Sequence, residues 1–150
     1  MLPQISSVIE NVQFTEEKIK NCICSLKSTS SPGPDGITTL LLKNYVDYLC
    51  QPLRLIMQTS FENHILPSAW KIASVTPIFK KGDKFCAENY RPISLTSVVC
   101  KVMETIISED LSKYVVERNI LPSQQHGFIR GRSVLTNLLS CVNSWTKSID

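Results

Sequence analysis

The 150-residue sequence has no apolar run approaching the roughly 20 residues that a membrane-spanning helix needs. No membrane partner is therefore expected. No basic stretch followed by an apolar one opens it, so a secretory signal is not expected either. The expected location is intracellular, in the nucleus or cytoplasm, with the cysteines reduced. Cys22, Cys24, Cys50, Cys86, Cys100 and Cys141 match no zinc spacing, and most read as small core hydrophobes. The sequence lacks a Gly-x4-Gly-Lys-Ser/Thr phosphate loop and a Gly-x-Ser-x-Gly nucleophile elbow. It also lacks convincing paired carboxylates. None of Asp35, Asp47, Asp83, Asp110 and Asp150 lies in an apolar strand beside a turn, where two-metal sites place them. There is no internal repeat and no low-complexity tract.

What is present suits one domain. The chain is 43% hydrophobic and 19% charged, which excludes disorder as its main state. The net charge of +3 implies no partner by itself. Its distribution says more. Lys71 to Arg91 holds five basic residues against two acids, and Arg118 to Ile149 holds four basic residues and no acid. Local basic segments of this kind are the footprint of nucleic-acid binding, although scattered solvated lysines give the same count.

The hydrophobic pattern predicts helices, a β-hairpin, then helices: an α+β fold, mostly helical. Residues 1–14 form a loosely held lead-in. Thr15 is placed to cap a helix over 16–28, with Glu16 and Glu17 in its first turn and Ile19, Cys22, Ile23 and Leu26 on one face. The Ser31–Gly36 segment, SPGPDG, forces a loop. A helix over 37–50 follows, and Pro52 suits the first turn of the next, which stops at Leu66-Pro67. Residues 72–79 alternate as a strand, with Pro77 marking an edge, and turn at Lys81-Gly82-Asp83. The return strand is YRPISL, from Tyr90. Thr96 or Ser97 is expected to cap a long helix to Glu117. Ser133 is expected to cap a last one, with Leu135, Leu138, Leu139, Val142 and Trp145 facing inward.

Three segments could carry chemistry. SPGPDG is best read as a stiff turn, with Asp35 bracing it. The hairpin gathers Lys80, Lys81, Lys84 and Arg91, and alternate strand residues share a face, so some of these cations can clamp a phosphate together. An ordinary hairpin with solvated edge lysines is an equal reading. In QHGFIRGRS, Arg130 and Arg132 flank Gly131 before a helix N-terminus, where backbone N–H groups also favour phosphate. Phe128 could stack on a base, or anchor the loop in the core.

Taken in order, SPGPDGI, a Trp70-led strand ending in PIFKKGD, NYRPISLTSVVCKVMETII and LPSQQHGFIRGRSVLTNLL resemble the N-terminal part of a reverse transcriptase, RNA-directed DNA polymerase, of LINE-type (non-LTR) retrotransposons. The resemblance covers roughly residues 15–149. It implies a right-hand polymerase fold, incomplete here. Residues 15–70 would be an N-terminal helical extension, 71–95 the fingers hairpin and 96–150 the fingers and early palm helices. By motif, Lys80 and Arg91 would bind the triphosphate of an incoming dNTP. Lys81, Lys84, Gly127, Phe128, Arg130 and Arg132 would follow the template. Many relatives carry Arg directly after the Gly-Phe pair; this sequence has Ile129 there and Arg130 one place later.

The family's catalytic aspartates belong to two later motifs, and neither occurs in these residues; Asp150 falls just before the first would begin. A fragment without catalytic residues or bound metal is therefore expected. Mg²⁺ would belong to the full-length enzyme, and the partners would be RNA template, DNA primer, dNTP and the remainder of the polymerase. Without a palm sheet over them, the helices at 97–117 and 134–148 are expected to expose their apolar stripes. The alternatives are a non-catalytic basic nucleic-acid-binding module, or a decayed retroelement relic.

Overall fold

A computed structural model describes residues 12–28, 31–122, 124–129 and 131–148. They fall into two compact units, residues 12–110 and 111–148. The helices are α1 (Glu16–Ser25), α2 (Thr39–Asn44), α3 (Val46–Glu62), α4 (Val98–Glu117) and α5 (Val134–Thr146); the strands are β1 (Ser74–Phe79) and β2 (Tyr90–Leu95). The architecture is α+β, mostly helical, with one antiparallel two-stranded sheet. Most of the 1–14 lead-in lies outside the described residues, but Val12 and Phe14 are buried in the core.

α1 begins as its sequence dictates. The Thr15 hydroxyl accepts from the Lys18 N–H at 3.2 Å, and Ile19, Cys22 and Ile23 are buried. It ends at Ser25 rather than near residue 28. There the Ser25 hydroxyl donates to the Cys22 carbonyl at 2.7 Å, and Leu26 is already extended. Short hydroxyl side chains compete with the helix for its own backbone.

The expected helix break at Pro52 is not there. The break falls at Tyr45 (φ −115°, ψ 20°), and α3 runs through Pro52. Val46, Cys50, Leu53 and Met57 form one buried stripe along α3. A break at Pro52 would put Leu53 and Met57 out of line with the others. Burying each such side chain contributes about 1.5–3 kcal/mol, together more than the ~3 kcal/mol that an interior proline costs. Pro52 withdraws its bond from the Tyr48 carbonyl on a face where Tyr48 is 82% exposed, so water can serve that carbonyl.

These stripes meet the first half of α4. Val98, Val99, Val102, Met103 and Ile106 are buried with Ile19, Ile23, Leu42 and Met57 in one cluster, and Phe14 packs edge-on against Phe61 at 5.7 Å. The α4 stripe is thus covered over its first half, contrary to the expectation that it lies bare; α1 and α3 cover it. Ser97 precedes α4, yet its hydroxyl is buried without a hydrogen-bond partner, so it does not act as a side-chain cap. Only its carbonyl serves the helix, accepting from the Lys101 N–H at 3.2 Å.

The hairpin stands outside this core. Its register pairs Ser74 with Leu95, Thr76 with Ile93, Ile78 with Arg91 and Phe79 with Tyr90. Lys80 N–H donates to the Asn89 carbonyl at 2.8 Å, which continues the ladder one step and marks Ile78–Arg91 as a hydrogen-bonded pair. Pro77 and Pro92, paired between them, occupy a non-hydrogen-bonded site, so neither removes a ladder bond.

In the second unit α5 starts with a full capping box. Ser133 Oγ accepts from Thr136 N–H, and Thr136 Oγ1 accepts from Ser133 N–H. No residue of α5 is buried. Leu135, Leu138, Leu139, Val142 and Trp145, expected to face inward, are all exposed.

Candidate nucleic-acid interface

Strand alternation divides the hairpin's cations between two faces. Ser74, Thr76, Ile78 and Lys80 share one face with Arg91, Ile93 and Leu95. Arg91 faces Ile78, so Lys80 is its diagonal neighbour, the two residues about 7–8 Å apart in such an arrangement. Both side chains are exposed, and neither has an ion-pair partner among the described residues. Two like charges at that spacing repel each other. An anion placed between them would relieve the repulsion.

Lys84 belongs to the other face. Its ammonium lies 5.9 Å from the centre of the Phe79 ring, and Phe79 meets Tyr90 edge-on at 5.5 Å. The structure therefore joins Lys80 with Arg91 and separates Lys84 from them. Lys81 is exposed where the chain leaves the ladder. The tip between is well braced. Asp83 Oδ1 accepts from Phe85 N–H at 2.9 Å, Asn89 Nδ2 donates to the Asp83 carbonyl at 2.8 Å, and Tyr90 OH donates to the Lys84 carbonyl at 2.9 Å. Gly82 sits at φ 94°, in the left-handed region. A Cβ there would stand 2.7 Å from the Asn89 side chain, so both conformation and space call for glycine.

The Gly-Phe loop is built in the second unit. Arg132 Nη1 donates to the Gln125 carbonyl, Gln125 Nε2 donates to the Gly127 carbonyl at 3.0 Å, and His126 Nδ1 lies 2.9 Å from Thr136 Oγ1 in the first turn of α5. These contacts fold the loop back on the α5 N-terminus. Arg132 also lines a small cavity of about 120 Å³ with Val115, Leu121 and Ile129. Its guanidinium thus helps to shape the loop, a structural duty that charge counting in the sequence had no means to show. Phe128 is left-handed at φ 62° and fully exposed. It does not anchor the loop in a core. A non-glycine residue in that region is strained by about 1–2 kcal/mol, which the loop's bonds must hold in place. Arg130 lies outside the described residues.

The SPGPDG loop is a braced turn, as its composition implies. Gly36 N–H donates to the Gly33 carbonyl and Ile37 N–H to Asp35 Oδ1, each at 3.1 Å. Cys22, Cys50 and Cys100 are buried, while Cys24, Cys86 and Cys141 are exposed; all are free thiols. Only half of them are core hydrophobes. Among the described residues, no group of three or more His, Cys, Asp or Glu is placed to hold a metal ion. No described helix is long and apolar enough to cross a membrane.

No family model matches the chain. Individual relatives do. A probable RNA-directed DNA polymerase from transposon BS of Drosophila melanogaster is 36% identical over 120 residues, 79% of this chain. The RNA-directed DNA polymerase from mobile element jockey of the same species is 32% identical over 76% of the chain. A putative 115 kDa protein in its type-1 retrotransposable element R1DM is 31% identical over 78%. The chain belongs to the reverse transcriptases of non-LTR retrotransposons. As a segment of such a reverse transcriptase it spans 11–13% of the length of these relatives.

Proposed function

We propose that this segment supplies the fingers of a retrotransposon RNA-directed DNA polymerase, the part that grips the incoming nucleotide and the template. The observation that carries the reading is the placing of Lys80 and Arg91 together on an exposed hairpin face with no described anionic partner. Lys80 would act as a point charge and Arg91 as a two-pronged donor to the triphosphate of a dNTP. Phosphoryl transfer depends chiefly on positioning and on offsetting negative charge, and such a clamp provides both. Lys81, Lys84, Gly127, Phe128, Arg130 and Arg132 would follow an RNA template on its way to a DNA primer. The exposed Phe128 ring supports a stacking role there. The protein would work in the nucleus or cytoplasm, joined to the rest of the polymerase.

The 150 residues contain neither of the family's aspartate motifs, and the described residues offer no cluster for Mg²⁺. The metal would be held by the carboxylates of those two motifs, and the segment alone would bind without polymerising. Purified chain titrated with single-stranded RNA should bind at low salt and lose affinity steeply as salt rises. Lys80→Ala with Arg91→Ala should abolish triphosphate binding. Absence of binding at low salt would refute the reading. Primer extension by the chain on poly(rA) with Mg²⁺, abolished by the same double substitution, would overturn the expectation that the segment alone does not polymerise.

A further inference from the structure

Gly33 presses on the backbone at the foot of the hairpin, and we propose that it is a positioning residue for the Lys80–Arg91 clamp; this rests on the reading of that clamp given above. A Cβ added to Gly33 would stand 2.7 Å from Thr96 C, Thr96 O and Ser97 N. All three are backbone atoms, which cannot swing aside as a side-chain tip can. The backbone of Gly33 is not left-handed, so what glycine supplies here is closeness of approach rather than conformational freedom.

The loop bearing Gly33 is stiff. Pro32 and Pro34 fix the backbone on either side, and the Gly33 carbonyl closes a turn with the Gly36 N–H at 3.1 Å. What it presses on is a junction. β2 ends at Leu95, α4 starts at Val98, and Ser97 between them is fully buried with an unpartnered hydroxyl. Beyond Ser97 the chain enters the core. Before Thr96 the hairpin is largely exposed, with every residue of β1 open to solvent. The other foot has its own anchor, since Trp70 packs partly buried against the core cluster. The hairpin is thus a ribbon fixed at two feet, one of them wedged by Gly33. Arg91 lies five residues up the strand from Thr96, about 17 Å along it. A shift of tenths of an ångström at the foot becomes a larger one at the cations.

The test is calorimetric titration of the 150-residue chain with inorganic tripolyphosphate, beside thermal melts of each variant. Wild-type chain should bind, and Lys80→Ala with Arg91→Ala should abolish binding. Gly33→Ala should weaken affinity roughly tenfold at a temperature where the variant is fully folded, equivalent to losing one charge-assisted contact. Ser97→Ala removes the unpartnered buried hydroxyl. Added to Gly33→Ala, it should restore the melting temperature and leave affinity low. If affinity returns with the melting temperature, Gly33 is a stability residue and the inference falls. If Gly33→Ala binds as wild type does, the inference falls while the clamp stands. If wild-type chain fails to bind, or the double substitution does not weaken it, the clamp falls and takes the inference with it. Should Gly33→Ala not fold, Pro34→Ala, which loosens the same wedge without adding a clash, is judged by the same comparison.

Discussion

Pro77 faces Pro92 across the hairpin, at a site where neither strand requires a ladder hydrogen bond. At such a site the backbone groups point outward, along the free edges of the sheet. Each proline therefore removes an N–H from an edge that another strand could join. Replacing both with valine should leave the hairpin's register intact and allow edge-to-edge association. Sedimentation velocity should show concentration-dependent oligomers in the Pro77→Val, Pro92→Val chain, and dimers at most in either single variant, which frees only one edge.

Lys18 and Asp110 lie 92 residues apart in sequence, yet the lysine Nζ donates to both carboxylate oxygens at 2.8 Å. The pair ties α1 to α4 at the rim of the core. Both side chains keep partial access to water, so their coupling should be modest, about 0.5–1 kcal/mol, and should shrink with salt. A double-mutant cycle with Lys18→Met and Asp110→Asn, read from denaturant midpoints, measures it directly.

Burial, followed by the nearby Glu104 carboxylate, pushes the Cys100 thiol up from 9.0 to about 11. Burial raises Cys22 and Cys50 in the same direction. For a thiol raised on folding, the unfolded chain releases its proton first as pH climbs. Stability is therefore fully present below pH 9 and is lost between pH 9 and about 11. Cys100→Val should flatten part of that alkaline decline in urea titrations. In native chain Cys24, Cys86 and Cys141 should react rapidly with a thiol reagent, and the other three only after unfolding.

The apolar stripe of α5 is uncovered, and such patches promote association. Leu135→Lys with Leu139→Lys should raise solubility without lowering the melting temperature, as judged by light scattering beside circular dichroism. A reversible monomeric melt of the wild-type chain above about 60 °C would speak against an aggregation-prone surface.

Local signals were legible in the sequence wherever one residue's chemistry decided the outcome. Thr15 and Ser133 cap the helices expected of them, and Gly82 makes its turn; alternation promised only that some hairpin cations share a face, and it is the register, Ile78 opposite Arg91, that puts Lys80 beside Arg91. The misses at Pro52, Ser97 and α4 share a cause: tertiary packing outweighed a local rule. Pro52 sits inside α3 because the stripe on either side must stay in line. Ser97 has capping chemistry, but its buried hydroxyl finds no N–H to accept from. The α4 stripe looked bare because nothing in its own residues announces that α1 and α3 will cover it. The α5 stripe carries the same kind of pattern and is not covered. Periodicity reports which face is apolar, and only the fold decides whether anything lies against it. The role of Gly33 was equally hidden, because the atoms it meets lie more than sixty residues further on.

β1 is solvent-exposed along its whole length. Substitutions at its surface positions are therefore released from the volume constraints that govern Met57 or Ile106. Selection on this ribbon would act through what it meets outside the fold. Among independent copies of such an element, drift in the hairpin at unchanged core sequence would record a change of ligand, and drift in the core at unchanged hairpin sequence would record only repacking.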